Sequence, residues 1–257
     1  MRLYWLLAAI LVLTFGVYQS VRYLTVPTPP NSVGPEQLNL SVPTQVANSE
    51  QLKVSLSSTT GSTLIFFIIP EIADRTSVIG NEYATAVNIG SKQNLKILIA
   101  PDAGRSSMMA PAILEIFVAN SADPEVIDIT DIKLQRWNCV AIVRKGRKFN
   151  IYINGQLSAS HMCTAMPIID GTQTLRVGDR RLGGLIAQIS MTNYPMEIDD
   201  IQTMVRELTD ADGKPYLSSD LPGLPIPSFD FNFMCPGGNC NSPSKPNPME
   251  QWNSSYA

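Results

Sequence analysis

Short apolar runs separated by turn-forming residues occupy most of the chain between about residues 50 and 208. Runs of this length, bounded by Gly, Asn, Asp and Pro, are typical of β-strands. No helical pattern alternates with them, so the sequence predicts an all-β sandwich rather than an α/β sheet. The predicted strands are Leu52–Ser57, Thr63–Ile69, Ala84–Ile89, Leu95–Ala100, Ile113–Ala119, Asn138–Arg144, Phe149–Asn154, Thr174–Val177 and Leu185–Thr192.

The segment from Trp137 to Val205 has the clearest order of elements. Its first two runs lie on either side of Lys145-Gly146-Arg147 and place apolar residues at alternate positions, at Val140 and Ile142 and at Phe149, Ile151 and Ile153, which predicts a β-hairpin. Asn154-Gly155 follows, and these residue types adopt the positive φ angles of a tight turn more easily than others. After two further strands, the apolar spacing that follows Pro195 predicts a short closing helix.

This order of elements resembles the concanavalin A-like lectin/glucanase superfamily, in its laminin G-like branch. The residues that carry the resemblance, in the family's order and spacing, are Trp137, Asn154-Gly155, Gly178 and Gly184. The resemblance implies a jelly-roll β-sandwich of two sheets, which we place at residues 50–208. Membrane-anchored structural proteins of this kind also occur in large DNA viruses, and the ending Asn193-Tyr194-Pro195 is similar to theirs.

Residues 1–24 predict a transmembrane anchor. Between Arg2 and Arg22 every residue is uncharged, and as a helix this stretch would reach about 28 Å, which matches the hydrocarbon core of a bilayer. A cleaved signal peptide is the alternative, but no pair of small residues marks a cleavage site before Pro27. We expect a single-pass membrane protein that contacts lipid through this helix. Most of the chain would lie on the non-cytoplasmic side, and in a virion membrane if the source is viral.

Two Pro-rich segments flank the predicted sandwich. Residues 25–49 predict an extended linker. Residues 209–257 contain eight prolines and predict a tail without a core of its own. In the tail, Phe229, Phe231 and Phe233 alternate with polar residues, as in a half-buried strand. Such a strand would either complete the protein's own sandwich or add to a neighbouring subunit.

The four cysteines are candidates for disulfide bonds and for metal ligands, and they are Cys139, Cys163, Cys235 and Cys240. The sequence does not distinguish among their complete pairings. Cys235 and Cys240 bracket a tight turn and are candidates for a disulfide in an oxidising compartment. A zinc site at this pair is unfavourable, because no second Cys/His pair is near and the only histidine, His161, lies far away in sequence.

The family resemblance also implies a structural calcium ion at a loop rim. Such an ion needs hard oxygen ligands from Asp, Asn and backbone carbonyls. The aspartates in predicted loops are Asp102, Asp123, Asp128, Asp170 and Asp179. No spacing selects among them, and turn-forming aspartates explain the same positions. The metal site is therefore unassigned, and we expect no other cofactor.

No catalytic residue is predicted. Glucanases of the superfamily use an E-x-D-x-x-E strand, whose two glutamates flank the scissile bond. Glu197-Ile198-Asp199 begins in the same way, but Gln202 stands where the second glutamate should be, and the segment falls in the predicted helix. His161 has Cys163 nearby but no nucleophile motif around it, so we interpret it as an ordinary loop histidine. We therefore expect a protein that is not an enzyme.

The charge of the chain bears on its partners. A net charge of −3 gives no general attraction for a phosphate backbone, so nucleic acid is not expected as a partner. The densest basic run, at the tip of the predicted hairpin, comprises Arg144, Lys145, Arg147 and Lys148. This run is either a solvated turn or a contact for lipid headgroups, sulfated glycans or an acidic protein.

The sequence favours a non-enzymatic, membrane-anchored structural or assembly protein, such as a minor capsid protein that links a membrane to a shell of other proteins. The combination of anchor, linker, sandwich and Pro-rich tail supports this function. A carbohydrate-binding, lectin-like surface domain is the alternative, which the fold resemblance alone suggests. A glycoside hydrolase comes third, because the paired carboxylates are missing.

Overall fold

The structure is a computed structural model that describes residues 10–15, 29, 31–47, 52, 60–71, 83–90, 95–101, 108–168 and 174–218. The strands are β1 Gln37–Asn39, β2 Thr44–Ala47, β3 Ser62–Glu71, β4 Ala84–Ile89, β5 Leu95–Ile99, β6 Met109–Ile116, β7 Glu125–Lys133, β8 Asn138–Lys145, β9 Lys148–Ile153, β10 Gln156–Met162, β11 Leu175–Val177 and β12 Gly183–Thr192. The closing helix is Ile198–Leu208.

These strands form two sheets of six strands each. Sheet I has the order β1-β12-β3-β8-β9-β10, and sheet II has the order β2-β11-β4-β5-β6-β7. Neighbouring strands in both sheets run antiparallel. The sheets face each other across one apolar core, so the predicted all-β sandwich is confirmed and its strand order is consistent with a jelly roll.

The core lies between the sheets and is continued on the far side of sheet I. Phe66 of β3 and Ile97 of β5 are buried between the sheets. Because side chains alternate along a strand, Phe67 points to the opposite face of sheet I. There it is buried against the closing helix, which contributes Ile201 and Met204. β3 is therefore buried on both faces, which explains its continuous apolar run in the sequence.

The turn between β9 and β10 has the conformation that its residues predict. Asn154 and Gly155 have φ angles of 53° and 76°, the positive values of a two-residue hairpin turn. Asn154 Oδ1 also accepts a hydrogen bond from the N–H of Cys139 at 2.8 Å, which ties the turn to β8. Gln202 of the closing helix donates from Nε2 to the carbonyl of Gly155 at 3.1 Å. The turn therefore fixes the position of the helix on sheet I.

Most predicted strands overlap an observed one, and the differences are informative. β6 begins at Met109 rather than at Ile113. Of the predicted strand Leu52–Ser57, only Leu52 is described, and it is a buried helical residue. Four of the described strands were not predicted from the sequence, and they are β1, β2, β7 and β10. All four are edge strands of their sheets or short, and β7 and β10 carry many polar side chains that weaken the apolar signal.

The second half of the predicted linker belongs to the sandwich. Within residues 25–49, β1 pairs with β12 in sheet I and β2 pairs with β11 in sheet II. Leu40 and Ala47 of this segment are buried. The first residues of the predicted tail also return to the sandwich, since Leu217 is buried and Ser218 donates hydrogen bonds to Glu36. The Pro and Ser content of the two segments concealed these pairings.

Several predicted features lie wholly or partly outside the described residues. Of the anchor at 1–24, residues 10–15 are described, and they are helical. In the described part of the chain, no helix has the length and apolar character needed to cross a membrane. Residues 222–257 form a separate unit that is not described. The members of the predicted strand and disulfide in that unit are Phe229, Phe231, Phe233, Cys235 and Cys240.

Candidate functional site

A row of polar side chains crosses the outer face of sheet II. Cross-strand partners lie directly opposite each other on the same face of a sheet. The register pairs Gln45 with Arg176, Arg176 with Asn88, Asn88 with Lys96, and Lys96 with Glu115. The neighbours of these residues along each strand, such as Val87 and Ile89, point into the core. We call Gln45, Arg176, Asn88, Lys96 and Glu115 the polar row.

The centre of the polar row holds an unsatisfied hydrogen-bond acceptor. Asn88 Oδ1 is buried and has no hydrogen-bond partner within the described part of the chain. On one side Lys96 Nζ lies 3.7 Å from Glu115 Oε2, and on the other side Arg176 is exposed. A buried acceptor without a partner costs about 1–3 kcal/mol. The polar row therefore offers an acceptor and a cationic group to any donor-bearing, anionic ligand that reaches this face.

A second group of polar side chains lies where the two sheets meet. β10 is the edge strand of sheet I and β7 is the edge strand of sheet II. Ser158 of β10 donates from Oγ to the carbonyl of Thr130 in β7 at 3.0 Å and accepts from the N–H of Thr130 at 3.2 Å. We call this side of the sandwich, where β7 lies against β10, the seam.

Three potential metal ligands converge at one end of the seam. Glu125 begins β7, His161 lies near the end of β10, and Cys163 follows β10. One donor atom from each of the three lies within 4.8 Å of the other two. His161 Nε2 is 2.6 Å from Glu125 Oε2. Glu125 Oε1 accepts hydrogen bonds from the N–H of Thr164, at 2.9 Å, and from its hydroxyl.

The surroundings of the seam shift the pKa values of two of its groups in opposite directions. Hydrogen bonds from the Thr164 hydroxyl and from His161 lower the pKa of Glu125 from 4.5 to about 2, against a smaller opposing effect of burial. Burial raises the pKa of the Cys163 thiol to about 11, and the Glu125 carboxylate adds to the rise. At neutral pH, Glu125 is therefore an anion and Cys163 is a thiol.

The basic hairpin is less basic at its surface than the sequence suggests. Lys145, Arg147 and Lys148 are exposed at the turn between β8 and β9. Arg144, which we predicted to join them, is buried between the sheets, and its Nε donates to Ser62 Oγ at 3.3 Å. Burial lowers the pKa of its guanidinium. Arg147 donates to the carbonyl of Thr164 at 3.0 Å, so part of the hairpin supports the seam.

The sequence of most of the sandwich is matched by a known family. A family model of the laminin G type, described as the concanavalin A-like lectin/glucanases superfamily, matches residues 54–212. This span is more than half of the chain. The chain belongs to this superfamily. The matched residues include the seam and all of the polar row except Gln45. No curated protein matches the chain.

Several solved structures are similar to this chain. The receptor-binding domain of botulinum neurotoxin C/D mosaic serotype is 18% identical with a TM-score of 0.50, and the match covers 74% of this chain and 48% of that one. The ligand-binding domain of botulinum neurotoxin serotype D, solved with N-acetylneuraminic acid, is 17% identical with a TM-score of 0.49, covering 74% and 48%. The binding domain of Paraclostridial mosquitocidal protein 1 is 16% identical with a TM-score of 0.49, covering 65% and 42%. This chain therefore spans less than half of each domain, and at such identities the likeness concerns the fold alone.

Three of the aspartates considered for the superfamily's calcium ion lie in the described part of the chain, namely Asp123, Asp128 and Asp179. Asp179 accepts hydrogen bonds from the Arg181 side chain at 3.1 and 2.8 Å. Asp128 lies within β7, and Asp123 is exposed in the turn before it. Among the residues that the structure describes, none of these three belongs to a group of three or more acidic, His or Cys side chains. Asp102 and Asp170 lie outside the described residues, so the metal site stays unassigned.

The residues that resemble the superfamily's glucanase motif are not arranged around a cleft. Glu197 occupies the N-cap position of the closing helix without a capping hydrogen bond from its side chain, and Asp199 lies in the first turn. Both are exposed, and acidic residues there interact favourably with the helix dipole. His161 differs from the prediction, since it belongs to strand β10 rather than to a loop.

Glu125 and the polar row were not predicted from the sequence. Side chains alternate between the two faces along the strands of sheet II, including β7, and this alternation could have shown which polar residues share a face.

The ion pair of Asp179 and Arg181 predicts a pH-dependent contribution to stability. The hydrogen bond from Arg181 keeps the pKa of Asp179 below 3.8, so the pair stabilises the fold above that value and is lost as pH falls through the lowered pKa. Because Arg181 is partly exposed, we expect Asp179→Asn to lower the free energy of unfolding by at most about 1 kcal/mol at neutral pH. Urea unfolding at about pH 7 and about pH 3 should show a smaller difference at the lower pH. Asp128→Asn controls for loss of charge, and an equal effect of Asp179→Asn at both pH values would contradict the assignment.

Proposed function

We propose that the sandwich is a non-enzymatic, carbohydrate-binding module that holds an acidic glycan on the outer face of sheet II. The buried, unpartnered Oδ1 of Asn88 at the centre of the polar row is the observation that carries this proposal. Membership of a superfamily that contains lectins supports it. The chain's own contacts leave this acceptor without a partner, and a rotation of the half-buried Asn88 side chain would present it to a ligand hydroxyl.

The chemistry of the polar row fits an acidic sugar. A sugar hydroxyl donates a hydrogen bond to Asn88 Oδ1 and removes the cost of its burial. The planar guanidinium of Arg176, next to Asn88 in the row, can donate two parallel hydrogen bonds to a carboxylate or sulfate. Lys96 is paired with Glu115, so the two side chains together add no net charge. Instead, their ammonium and carboxylate groups can form hydrogen bonds with sugar hydroxyls.

The two faces of the sandwich also differ in the side chains that they carry. On sheet I, the closing helix buries the outer face against Phe67 and Tyr152. On sheet II, the corresponding positions carry polar side chains at Gln45, Arg176 and Glu115. A face that carries polar groups in register, rather than an apolar surface, suits a hydrated ligand such as an oligosaccharide.

A binding experiment with matched variants tests the proposal. Immobilised neutral, carboxylated and sulfated oligosaccharides are probed with the purified chain, and the dissociation constants are measured. We expect binding to an acidic oligosaccharide, with Asn88→Ala and Arg176→Ala weakening it by about tenfold to a hundredfold. Asn193→Ala and Arg206→Ala, both exposed and outside the polar row, serve as controls. Binding that is unaffected by the two row variants, or none to any oligosaccharide, would overturn the proposal.

A membrane-anchored assembly protein is the second candidate, and a minor capsid protein of a large DNA virus is its most specific form. The observation that favours it is a helical stretch of exposed apolar side chains, among them Leu11, Val12 and Leu13 at 69%, 73% and 68% exposure. Contact with lipid or protein would cover such a surface. In this form the sandwich would lie on the non-cytoplasmic side of its membrane.

Membrane extraction and cross-linking test the second candidate. The full chain should remain in the membrane pellet at alkaline pH, while a chain that begins at residue 25 should be released. Lysine-reactive cross-linking in the native membrane or particle should then link the exposed Lys145 and Lys148 to other proteins. Release of the full chain from the pellet, or cross-links within this chain only, would exclude an anchored assembly role.

A further inference from the structure

We propose that Glu125, His161 and Cys163 bind a zinc ion at the seam, where it joins the two sheets. This site is separate from the polar row and does not depend on glycan binding. It uses the only histidine in the chain.

The donor atoms already lie close to the arrangement that zinc requires. Zinc binds thiolate sulfur at about 2.3 Å and imidazole nitrogen or carboxylate oxygen at about 2.0–2.2 Å, so donors of a tetrahedral site lie roughly 3.3–3.8 Å apart. The three donors here lie within 4.8 Å of one another, and two of them are 2.6 Å apart. Shifts of about 1 Å would therefore bring all three into bonding distance.

The strand geometry explains why the donors share one site. His161 and Cys163 are two residues apart along extended chain, so their side chains point to the same side. The N–H of Cys163 donates to the carbonyl of Arg147 at 3.0 Å, which keeps this segment against the β8–β9 hairpin. Glu125 reaches the same place from the other sheet. Two sheets thus supply one site.

Thr164 orients the carboxylate for this role. Its N–H and hydroxyl both bind Oε1 of Glu125, which leaves Oε2 directed at His161 Nε2. Groups that hold a ligand in this way typically change metal affinity by about 10–100-fold when removed. The thiol of Cys163 is 1% exposed and completes the set of three donors.

The donor types select zinc over calcium or magnesium. Thiolate and imidazole suit zinc, whereas calcium and magnesium take oxygen ligands. His161 is 35% exposed at its side chain, so water can reach the fourth position of a tetrahedral ion. On binding, the Cys163 thiol releases its proton to solvent and His161 Nε2 must be unprotonated, with no change of oxidation state.

Cobalt substitution tests the site on the full chain. The purified, reduced chain is treated with a chelator, freed of it and titrated with Co²⁺ alone, which gives a thiolate-to-cobalt charge-transfer band when sulfur is a ligand. We expect one equivalent to bind and Zn²⁺ to displace it. Cys163→Ser should abolish the band, and Thr164→Val should weaken binding by about 10–100-fold. Cys139→Ser, at a buried cysteine on the opposite face of sheet I, should leave the band unchanged.

Further variants test whether other cysteines bind the cobalt and whether weaker binding comes from loss of a ligand rather than loss of the fold. Cys235→Ser with Cys240→Ser tests whether the other cysteines bind the metal, and the band should persist in this double variant. His161→Gln retains a hydrogen-bonding group for Glu125, and we expect it to fold with cooperative thermal unfolding but to bind Co²⁺ at least about tenfold more weakly. The proposal is overturned if folded wild-type chain gives no charge-transfer band, if the band survives in folded Cys163→Ser, or if His161→Gln binds as wild type.

Discussion

Gly184→Ala is expected to lower the free energy of unfolding by at least about 3 kcal/mol, which corresponds to a fall in Tm of about 6–12 °C or more. Gly184 has a φ of +106°, a conformation that residues with a side chain rarely adopt. A Cβ there would lie 1.9 Å from the carbonyl oxygen of Ile69 and 3.0 Å from the backbone nitrogen of Glu71. Both atoms belong to β3, which is buried on two faces, so the backbone has no room to withdraw.

Gly146→Ala provides the matched control. Gly146 also has a positive φ, of +61°, but a Cβ there would meet nothing within 4 Å. We expect this variant to lose only about 1 kcal/mol, from the backbone conformation alone. Urea and thermal unfolding of both variants would separate the clash from the conformational cost. Equal losses of unfolding free energy in the two variants would mean that the close approach of β12 to β3 at Gly184 does not cause the destabilisation.

Asn138→Leu is expected to destabilise the sandwich by about 3–5 kcal/mol. Asn138 is fully buried at the start of β8. Its Nδ2 donates to the carbonyls of Lys133 and Arg136, each at 2.8 Å, and its Oδ1 accepts from the N–H of Lys133 at 3.0 Å. Leucine has a similar volume but leaves these partly buried backbone groups without Asn138 as a partner, so the loss measures the hydrogen bonds rather than a cavity.

Asn88→Leu is the control for this experiment. Removing the unpartnered Oδ1 of Asn88 relieves a desolvation cost, so stability should stay within about 0.5 kcal/mol of wild type or rise. Chemical denaturation of the two leucine variants measures both effects on one scale. A loss at Asn88 as large as that at Asn138 would show that Asn88 is a structural residue, and it would also weaken its assignment to a glycan site.

The sequence predicts best where local chemistry and tertiary structure agree. Asn154-Gly155 favours positive φ angles directly after the predicted strand Phe149–Asn154, and the structure has a hairpin turn at that place, although the strand that follows it was not predicted. The apolar run of β3 likewise predicts a buried strand. In each case the residues that define the element are neighbours in the chain, so no long-range information is required.

The seam and the buried arginine depend on information that neighbouring residues do not contain. Glu125 and His161 are 36 positions apart, and only the meeting of two edge strands brings them together. Arg144 belongs to the basic run at the hairpin tip in the sequence. It nevertheless lies on the same strand face as Val140 and Ile142, which are core residues. The position of Arg144 in the alternation of the strand predicts its burial more accurately than its charge does.

The pairing of β3 has a consequence for synthesis of the chain. One neighbour of β3 is β8, but the other is β12, which ends at Thr192. At about 5–20 residues per second, a ribosome needs about 6–24 s to make the chain from Glu71 to Thr192. During that time one edge of the apolar stretch Ile65–Ile69 has no strand beside it, and an unpaired apolar edge pairs readily with other chains. The yield of folded protein should therefore fall as the concentration of nascent chains rises, and a chaperone that holds this strand until β12 emerges should restore it.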